Sequence, residues 1–198
     1  MQIPTQTEPV QVSVRASRPV FILGRNGSGK SALVSSLAAQ WAGKIVYMPG
    51  SRPCYFDNES LSMTPAARRD FSIHERHYDS EPNTRWKSVT GTIRNEKAIH
   101  DLQAAETQYK IDAANQIKAE GSTSSAIARL QADRSPLDVV NSLLAQANLA
   151  VKLKVDGGEL KAMQVGSLYS YACMSDGERS ALVFAAEVVA AKTGIVFL

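Results

Sequence analysis

One eight-residue segment constrains the fold more than any other feature of the sequence. The apolar run Val20–Leu23 comes before it, and Leu33, Val34 and Leu37 follow it at helical spacing. This order predicts a buried parallel strand, a glycine-rich loop and an amphipathic helix, which together open an α/β fold. The segment fits the pattern G-x-x-x-x-G-K-[ST] at every position and reads Gly24-Arg25-Asn26-Gly27-Ser28-Gly29-Lys30-Ser31.

The residue types in this loop indicate that it binds phosphate. Glycines let backbone N–H groups approach an anion without a Cβ clash, and the following helix adds its N-terminal donors and dipole. Lys30 is expected to reach the β- and γ-phosphates of ATP, which makes it the candidate catalytic residue, and the Ser31 hydroxyl is the expected ligand of Mg²⁺. All eight residues are therefore candidate contacts of ATP.

The segments around this loop predict further strands. Val10, Val12 and Val14 alternate with polar residues, as in a half-buried strand. Lys44–Met48 is a second short apolar run, ended by a Pro-Gly pair. Strand, loop, helix and strand in this order are typical of a nucleotide-binding α/β core.

The middle of the chain has a different composition. From about residue 51 to 134 apolar residues thin out and charge rises, and the βαβ rhythm stops. Glu96–Glu120 has helical spacing, and a second helix is expected over Ala126–Ala132. We interpret this region as an inserted helical arm. A partly disordered surface insertion is the alternative.

The last third predicts a helix, a hairpin, a second helix and a strand. Ser135-Pro136-Leu137-Asp138 is a helix start, with the helix running to Ala147. Alternating apolar residues on both sides of Asp156-Gly157-Gly158 predict a β-hairpin. Glu178–Lys192 is expected to be a strongly apolar helix, and Gly194–Leu198 a buried strand.

A second motif, Met174-Ser175-Asp176-Gly177-Glu178-Arg179-Ser180, precedes this last helix. Ser175 and Glu178 have the S-x-x-E spacing of a capping box, which starts a helix with its free N–H groups pointing outward. A plain helix cap is one interpretation. The segment also resembles the LSGGQ-type signature of ABC ATPases, in the Ser-x-Gly-Glu form. That resemblance implies that Ser175, Asp176, Gly177 and Glu178 contact the γ-phosphate of a nucleotide held by a second copy.

The two motifs together resemble the ABC-type ATPase heads of chromosome-maintenance (SMC) and RecF/RecN-type repair proteins, above all the bacterial "AAA family" ATPases. The resemblance implies an α/β P-loop NTPase fold with an inserted helical region. It divides the chain into an N-terminal core part (1–50), a helical arm (51–134) and a signature part (135–198). It also implies an ATP-dependent homodimer, with DNA or a nuclease-type effector as partner, in DNA repair or anti-phage defence.

The segment Gly194–Leu198 resembles the start of a Walker B strand, which in the family ends in Asp-Glu. Those acids, which assist Mg²⁺ and polarise the attacking water, are not among residues 1–198. The resemblance therefore implies the N-terminal part of a longer ATP hydrolase, and residues 1–198 alone are expected to be inactive.

Composition narrows the class of protein. The 198 residues are 44% hydrophobic and 21% charged with a net charge of +3, an ordinary globular balance without a strong nucleic-acid footprint. The longest apolar stretch, Ala181–Ala186, ends at Glu187, so we expect a cytoplasmic protein with no membrane span. The three histidines, His74, His77 and His100, are interpreted as solvated surface.

Three other functions stay open. A membrane-transporter nucleotide domain is disfavoured because residues 1–20 contain no aromatic residue to stack on adenine, and no Gln stands near Arg52, where the family's Q-loop would lie. A small P-loop kinase is disfavoured by the signature motif. A nucleotide-gated interaction module without hydrolysis is supported by the missing carboxylates.

Overall fold

The computed structural model describes residues 2–3, 10–11, 20–40, 45–47, 54–80, 90–120, 123–191 and 195–197. The chain divides into two compact units. Unit 1 consists of Met1–Gly50, Glu75–Lys87 and Thr193–Leu198, and unit 2 of Ser51–His74 and Ser88–Lys192. Among the described helices, none combines the length and the apolar composition needed to cross a bilayer.

The described part of unit 1 contains two pairs of short strands and the helix that follows the glycine-rich loop. Strand β1 (Gln2–Ile3) pairs antiparallel with β2 (Val10–Gln11). Helix α1 (Lys30–Gln40) leads to β3 (Ile45–Tyr47), which pairs in parallel with β7 (Ile195–Phe197). The predictions of strands over 44–48 and 194–198 are therefore confirmed, and their parallel pairing is the arrangement expected of an α/β core.

The predicted buried strand Val20–Leu23 is wrong in this structure. These residues are described without any strand assignment, and the side chains of Phe21 and Leu23 are 77% and 89% exposed. A central parallel strand forms only where neighbouring strands bond it on both sides and helices cover it. Among the described residues of unit 1, no strand pairs with this run. The predicted alternation at Val10 is a strand, whereas Val12 and Val14 lie outside the described residues.

Unit 2 is built on helices that enclose one hydrophobic core. Helix α2 (Pro65–Ser80) begins in it, and α3 (Gly91–Glu120), α4 (Thr123–Ala132), α5 (Pro136–Gln146) and α6 (Asp176–Ala190) follow. The core is formed by side chains of α3, α5 and α6 with those of the sheet, among them the fully buried Leu102, Val140, Leu144, Leu182 and Ala186.

Local signals predicted the helix boundaries of α5 well. Ser135 is its N-cap and accepts a hydrogen bond from the Asp138 N–H at 3.1 Å, with Pro136 in the first turn. The helix was predicted to run to Ala147; it ends at Gln146, and Ala147 is its C-cap. The cap uses only neighbouring residues, so the sequence specifies it without any tertiary contact.

A three-stranded antiparallel sheet covers the other side of this core. Strands β4 (Lys152–Asp156) and β5 (Glu159–Gln164) form the predicted hairpin, with Gly157 and Gly158 at φ values of 59° and 85° in its turn. A third strand, β6 (Ser167–Ser170), pairs with β5 and was not predicted. A short 3₁₀ helix, Tyr171–Cys173, then leads into α6.

The middle of the chain is helical, as predicted, with wider bounds. The helix expected over 96–120 begins at Gly91, and the one expected over 126–132 begins at Thr123. Helix α2 was missed because its only buried apolar side chain in the described structure is Phe71. The described stretches are helical, which disfavours partial disorder there. The division into 1–50, 51–134 and 135–198 stays a prediction.

Candidate nucleotide-binding site

The glycine-rich loop begins with a tight turn and ends in a helix N-terminus. The Ser28 N–H donates to the Arg25 carbonyl at 3.1 Å, which closes the turn. The Leu33 N–H donates to the Gly29 carbonyl at 2.9 Å, so α1 begins directly at Lys30. The N–H groups of the first helical turn therefore have no partner within the helix, and such groups bind anions.

Each glycine in the loop has a physical reason to be glycine. Gly27 and Gly29 have φ values of 80° and 83°, a conformation that side chains disfavour. A Cβ on Gly24 would lie 2.6 Å from the Ser28 Oγ atom. The loop conformation thus depends on these three positions.

Lys30 and Ser31, the candidate catalytic residue and the candidate Mg²⁺ ligand, lie at the start of α1. The Lys30 ammonium donates to the carbonyls of Gly24 and Arg25 at 2.7 and 2.8 Å, so its charge is held across the loop. Ser31 is exposed in the first turn, where its hydroxyl is free to meet a metal ion carried by a nucleotide. The described residues contain no group of three or more His, Cys, Asp or Glu side chains placed to hold a metal.

The signature motif starts α6 through the predicted capping box. Ser175 is the N-cap, and its backbone N–H donates to the Glu178 carboxylate at 3.0 Å. The Ser175 hydroxyl donates to the same carboxylate at 2.8 Å, and the Glu178 N–H donates back to that hydroxyl at 3.4 Å. Asp176 and Glu178 lie in the first turn, where negative charge interacts favourably with the positive end of the helix dipole.

Arg179 fixes the motif to its surroundings, a role that sequence reasoning missed. Its guanidinium pairs with Asp176 and donates to the Ala172 carbonyl at 2.9 Å. The same guanidinium lies 5.8 Å from the centre of the Tyr55 ring. By contrast, a Cβ on Gly177 would meet no atom within 4 Å. Among the described residues, packing therefore does not require glycine at position 177, and a side chain can be placed there without a clash.

The predicted site residues fall into two groups. Residues 24–31 form the glycine-rich loop and the first residues of α1 in unit 1, and residues 175–178 form one helix start in unit 2. Each group presents backbone donors at the N-terminus of a helix, which is the chemistry that holds phosphate. Among the described residues, these features define a P-loop nucleotide-binding protein.

Comparison with known families identifies the kind of P-loop protein. The family described as ABC transporter matches residues 7–198, nearly the whole chain. The chain belongs to this family of ABC transporter-type ATPase domains. Members bind ATP with Mg²⁺, generally hydrolyse it, and dimerise. Comparisons with curated proteins and with solved structures gave no significant match.

Proposed function

We propose that this chain is the ATP-binding part of an ABC-type head that dimerises around ATP and thereby controls DNA or an attached effector. Family membership supports ATP binding, hydrolysis and dimerisation. The particular setting, DNA repair or anti-phage defence, rests on the resemblance to SMC and RecF/RecN-type heads. The expectation that residues 1–198 alone turn over little ATP also stays a prediction.

The observation that favours a head of this type over a transporter subunit is helix α3. It has 30 residues, which corresponds to about 45 Å at 1.5 Å per residue. Its first half contributes Ala98, Ile99 and Leu102 to the core, whereas its second half is largely exposed. Helix α4 accompanies that second half, where the Tyr109 hydroxyl donates to the Asp133 carbonyl at 2.7 Å. Such a helix pair suits an arm that connects an ATPase core to a partner.

In the proposed mechanism the P-loop binds and the signature completes the site in trans. Residues 24–31 hold the phosphates, Lys30 neutralises charge that develops on the β- and γ-phosphates, and Ser31 contributes a Mg²⁺ ligand. Ser175, Asp176, Gly177 and Glu178 of the second copy supply a helix N-terminus to the γ-phosphate. ATP then acts as part of the dimer interface, so binding and dimerisation are coupled.

A mixing experiment with two variants of the full-length protein tests this mechanism. Lys30→Ala removes the P-loop cation, and Gly177→Asp places a carboxylate against the partner's phosphate without a clash inside the chain. Each variant alone should fail to dimerise with ATP in sedimentation velocity runs. The equimolar mixture should recover heterodimers, because one P-loop and the opposite signature remain intact.

A control variant separates the specific effect of Gly177→Asp from a general effect of the added charge. Ala114→Asp adds the same charge at an exposed position of α3 and should dimerise like the wild type. Normal ATP-dependent dimerisation by Gly177→Asp would show that residues 175–178 form only a helix cap.

The proposed control by DNA is tested by measuring ATPase rates with and without duplex DNA. An unchanged rate at all salt concentrations would count against DNA control.

A further inference from the structure

The signature helix begins with two negative charges at the place where the proposed dimer has to bind a phosphate. Asp176 and Glu178 lie in the first turn of α6, and the Asp176 side chain is 87% exposed. A helix N-terminus carries a partial positive charge of about half an elementary charge, which a single carboxylate already offsets. An uncompensated second carboxylate would repel the γ-phosphate, because like charges that meet across an interface are unfavourable.

The Glu178 carboxylate is engaged within the capping box. It accepts hydrogen bonds from the Ser175 N–H at 3.0 Å and from the Ser175 hydroxyl at 2.8 Å. These donors offset part of its charge, since a carboxylate is stabilised by the N–H and O–H groups that bond to it. Asp176 is not one of the two residues of the box, so its charge has to be offset in another way.

Arg179 supplies the offsetting charge. Its guanidinium forms a salt bridge with the Asp176 carboxylate, three residues earlier on the same face of α6. Only 16% of the Arg179 side chain is exposed. Water therefore screens the guanidinium less than it would at the open surface, where ion pairs contribute little.

Two further contacts fix the Arg179 guanidinium in place. It donates to the Ala172 carbonyl at 2.9 Å and lies 5.8 Å from the centre of the Tyr55 ring, within the range of a cation–π contact. The fully buried Asn95 holds Tyr55 in turn, since its Nδ2 group donates to the Tyr55 carbonyl at 3.1 Å. Residues outside the signature thus hold the guanidinium where it meets Asp176.

We propose that Arg179 is a positioning residue that neutralises Asp176 and thereby lets the N-terminus of α6 accept the γ-phosphate of ATP held by a second copy. This inference rests on the proposed function, in which residues 175–178 act in trans. The guanidinium acts through Asp176 and not by contacting the phosphate, because Asp176, Ala172 and the Tyr55 ring already occupy it.

A double-mutant cycle in the full-length protein tests this role. The dissociation constant of the dimer is measured by sedimentation velocity with ATP and Mg²⁺. Arg179→Gln leaves the Asp176 charge uncompensated and should weaken the dimer about tenfold. Asp176→Asn in the same chain removes the repelling charge and should restore the dimer. Asp176→Asn alone should tighten the dimer, because the Arg179 charge then faces the phosphate without a counter-charge.

Salt gives a readout that a purely structural role would not change. Repulsion between exposed charges is screened, so the loss in Arg179→Gln should shrink as the NaCl concentration rises from about 0.05 to 0.5 M. The affinity of the monomer for ATP, measured by calorimetry, should stay at the wild-type value, because the P-loop is untouched. Arg134→Gln removes the same charge at an exposed position before α5 and should dimerise like the wild type.

The contrary results are equally defined. Normal dimerisation by Arg179→Gln overturns the proposal, and so does a loss that Asp176→Asn does not restore, which would show that the guanidinium contacts the phosphate itself. If Arg179→Gln does not fold, Asp176→Asn alone decides, and an unchanged or weaker dimer overturns the proposal.

Gly177→Asp separates this inference from the proposed function on which it rests. If Gly177→Asp weakens the dimer while the cycle shows no coupling, only the neutralising role of Arg179 is wrong. If Gly177→Asp dimerises normally with ATP, the trans role of residues 175–178 is wrong and the role of Arg179 fails with it.

Discussion

Lys30 is the residue whose removal tests the phosphate loop most directly. Its ammonium donates to the carbonyls of two exposed residues, Gly24 and Arg25, so we expect Lys30→Ala to leave the fold intact while the loop loses the Lys30 charge. We expect the binding free energy of ATP to become less favourable by about 2–3 kcal/mol, the contribution of charged hydrogen bonds. Isothermal calorimetry with ATP and Mg²⁺ measures the loss. Unchanged affinity would contradict the assignment of this loop as the phosphate site.

His100 is partly buried, whereas the sequence was interpreted as placing it on the solvated surface. Because burial lowers its folded pKa below 6.5, the unfolded chain binds the proton more readily. The contribution of His100 to the free energy of unfolding is therefore fully present above pH 6.5. It is lost as the pH falls through the lowered pKa. Neighbouring charges act on it in both directions: Glu96 and Asp101 raise the pKa, and Arg68 lowers it.

The prediction is that His100→Gln flattens the decline in stability on the acid side of pH 6.5. Urea unfolding of both proteins over that range gives the free energy of unfolding at each pH. His74→Gln, at an exposed position of α2, is the matched control and should follow the wild-type curve. Parallel curves for wild type and His100→Gln would show that the ring is not desolvated.

At the scale of elements, the turn between β5 and β6 stores backbone strain. Val165 is fully exposed yet has a φ of 49°, and Gly166 follows at 82°. A β-branched residue disfavours this conformation by about 1–2 kcal/mol. Asn-Gly is the preferred pair in such two-residue turns, so Val165→Asn should raise the free energy of unfolding by about 1 kcal/mol.

Thermal and urea unfolding of Val165→Asn measure the expected gain. Val165→Thr keeps the β-branch and the strain, and its stability should equal that of the wild type. No gain in the Asn variant would mean that the turn is not in the left-handed conformation. Strand β6 was not predicted because Val165-Gly166 is a weaker turn signal than the Gly157-Gly158 pair of the first hairpin.

Elements with local signals could be predicted, and those that depend on distant contacts could not. The start of α5 at Ser135 and the capping box of α6 at Ser175 use residues at most three apart, so the sequence specifies them completely. The contacts of α3 with the Ser62 backbone and with Gly158 of the hairpin turn were missed because these residues lie far from α3 along the chain. No spacing in the sequence reports these contacts.

The same distinction applies to the candidate nucleotide site. The turn and the helix start of residues 24–31 could be predicted from the pattern alone, because their contacts are made within the loop. Their binding of phosphate stays a prediction. The strand before it could not, because Val20–Leu23 needs partner strands to become one. The cation–π contact of Arg179 with Tyr55 joins residues too far apart in sequence for any motif to signal.

At the scale of the whole molecule, the core of unit 2 determines whether the signature helix is held in place. Leu182 of α6 is fully buried in the same core as Leu102 of α3. Leu182→Ala removes packed atoms and leaves a cavity, so we expect the free energy of unfolding to fall by about 2–5 kcal/mol. Leu143→Ala is the matched control, because that leucine of α5 is 39% exposed and should cost about 1 kcal/mol or less.

Urea unfolding followed by circular dichroism compares the two variants with the wild type at one pH. A large loss for Leu182→Ala beside a small one for Leu143→Ala supports a core in which α6 is packed through its apolar face. Equal losses would show that α6 is no more buried than the surface of α5. The proposed contact of the α6 N-terminus with a second copy would then lose its support, because a loosely packed helix cannot fix the direction of its free N–H groups.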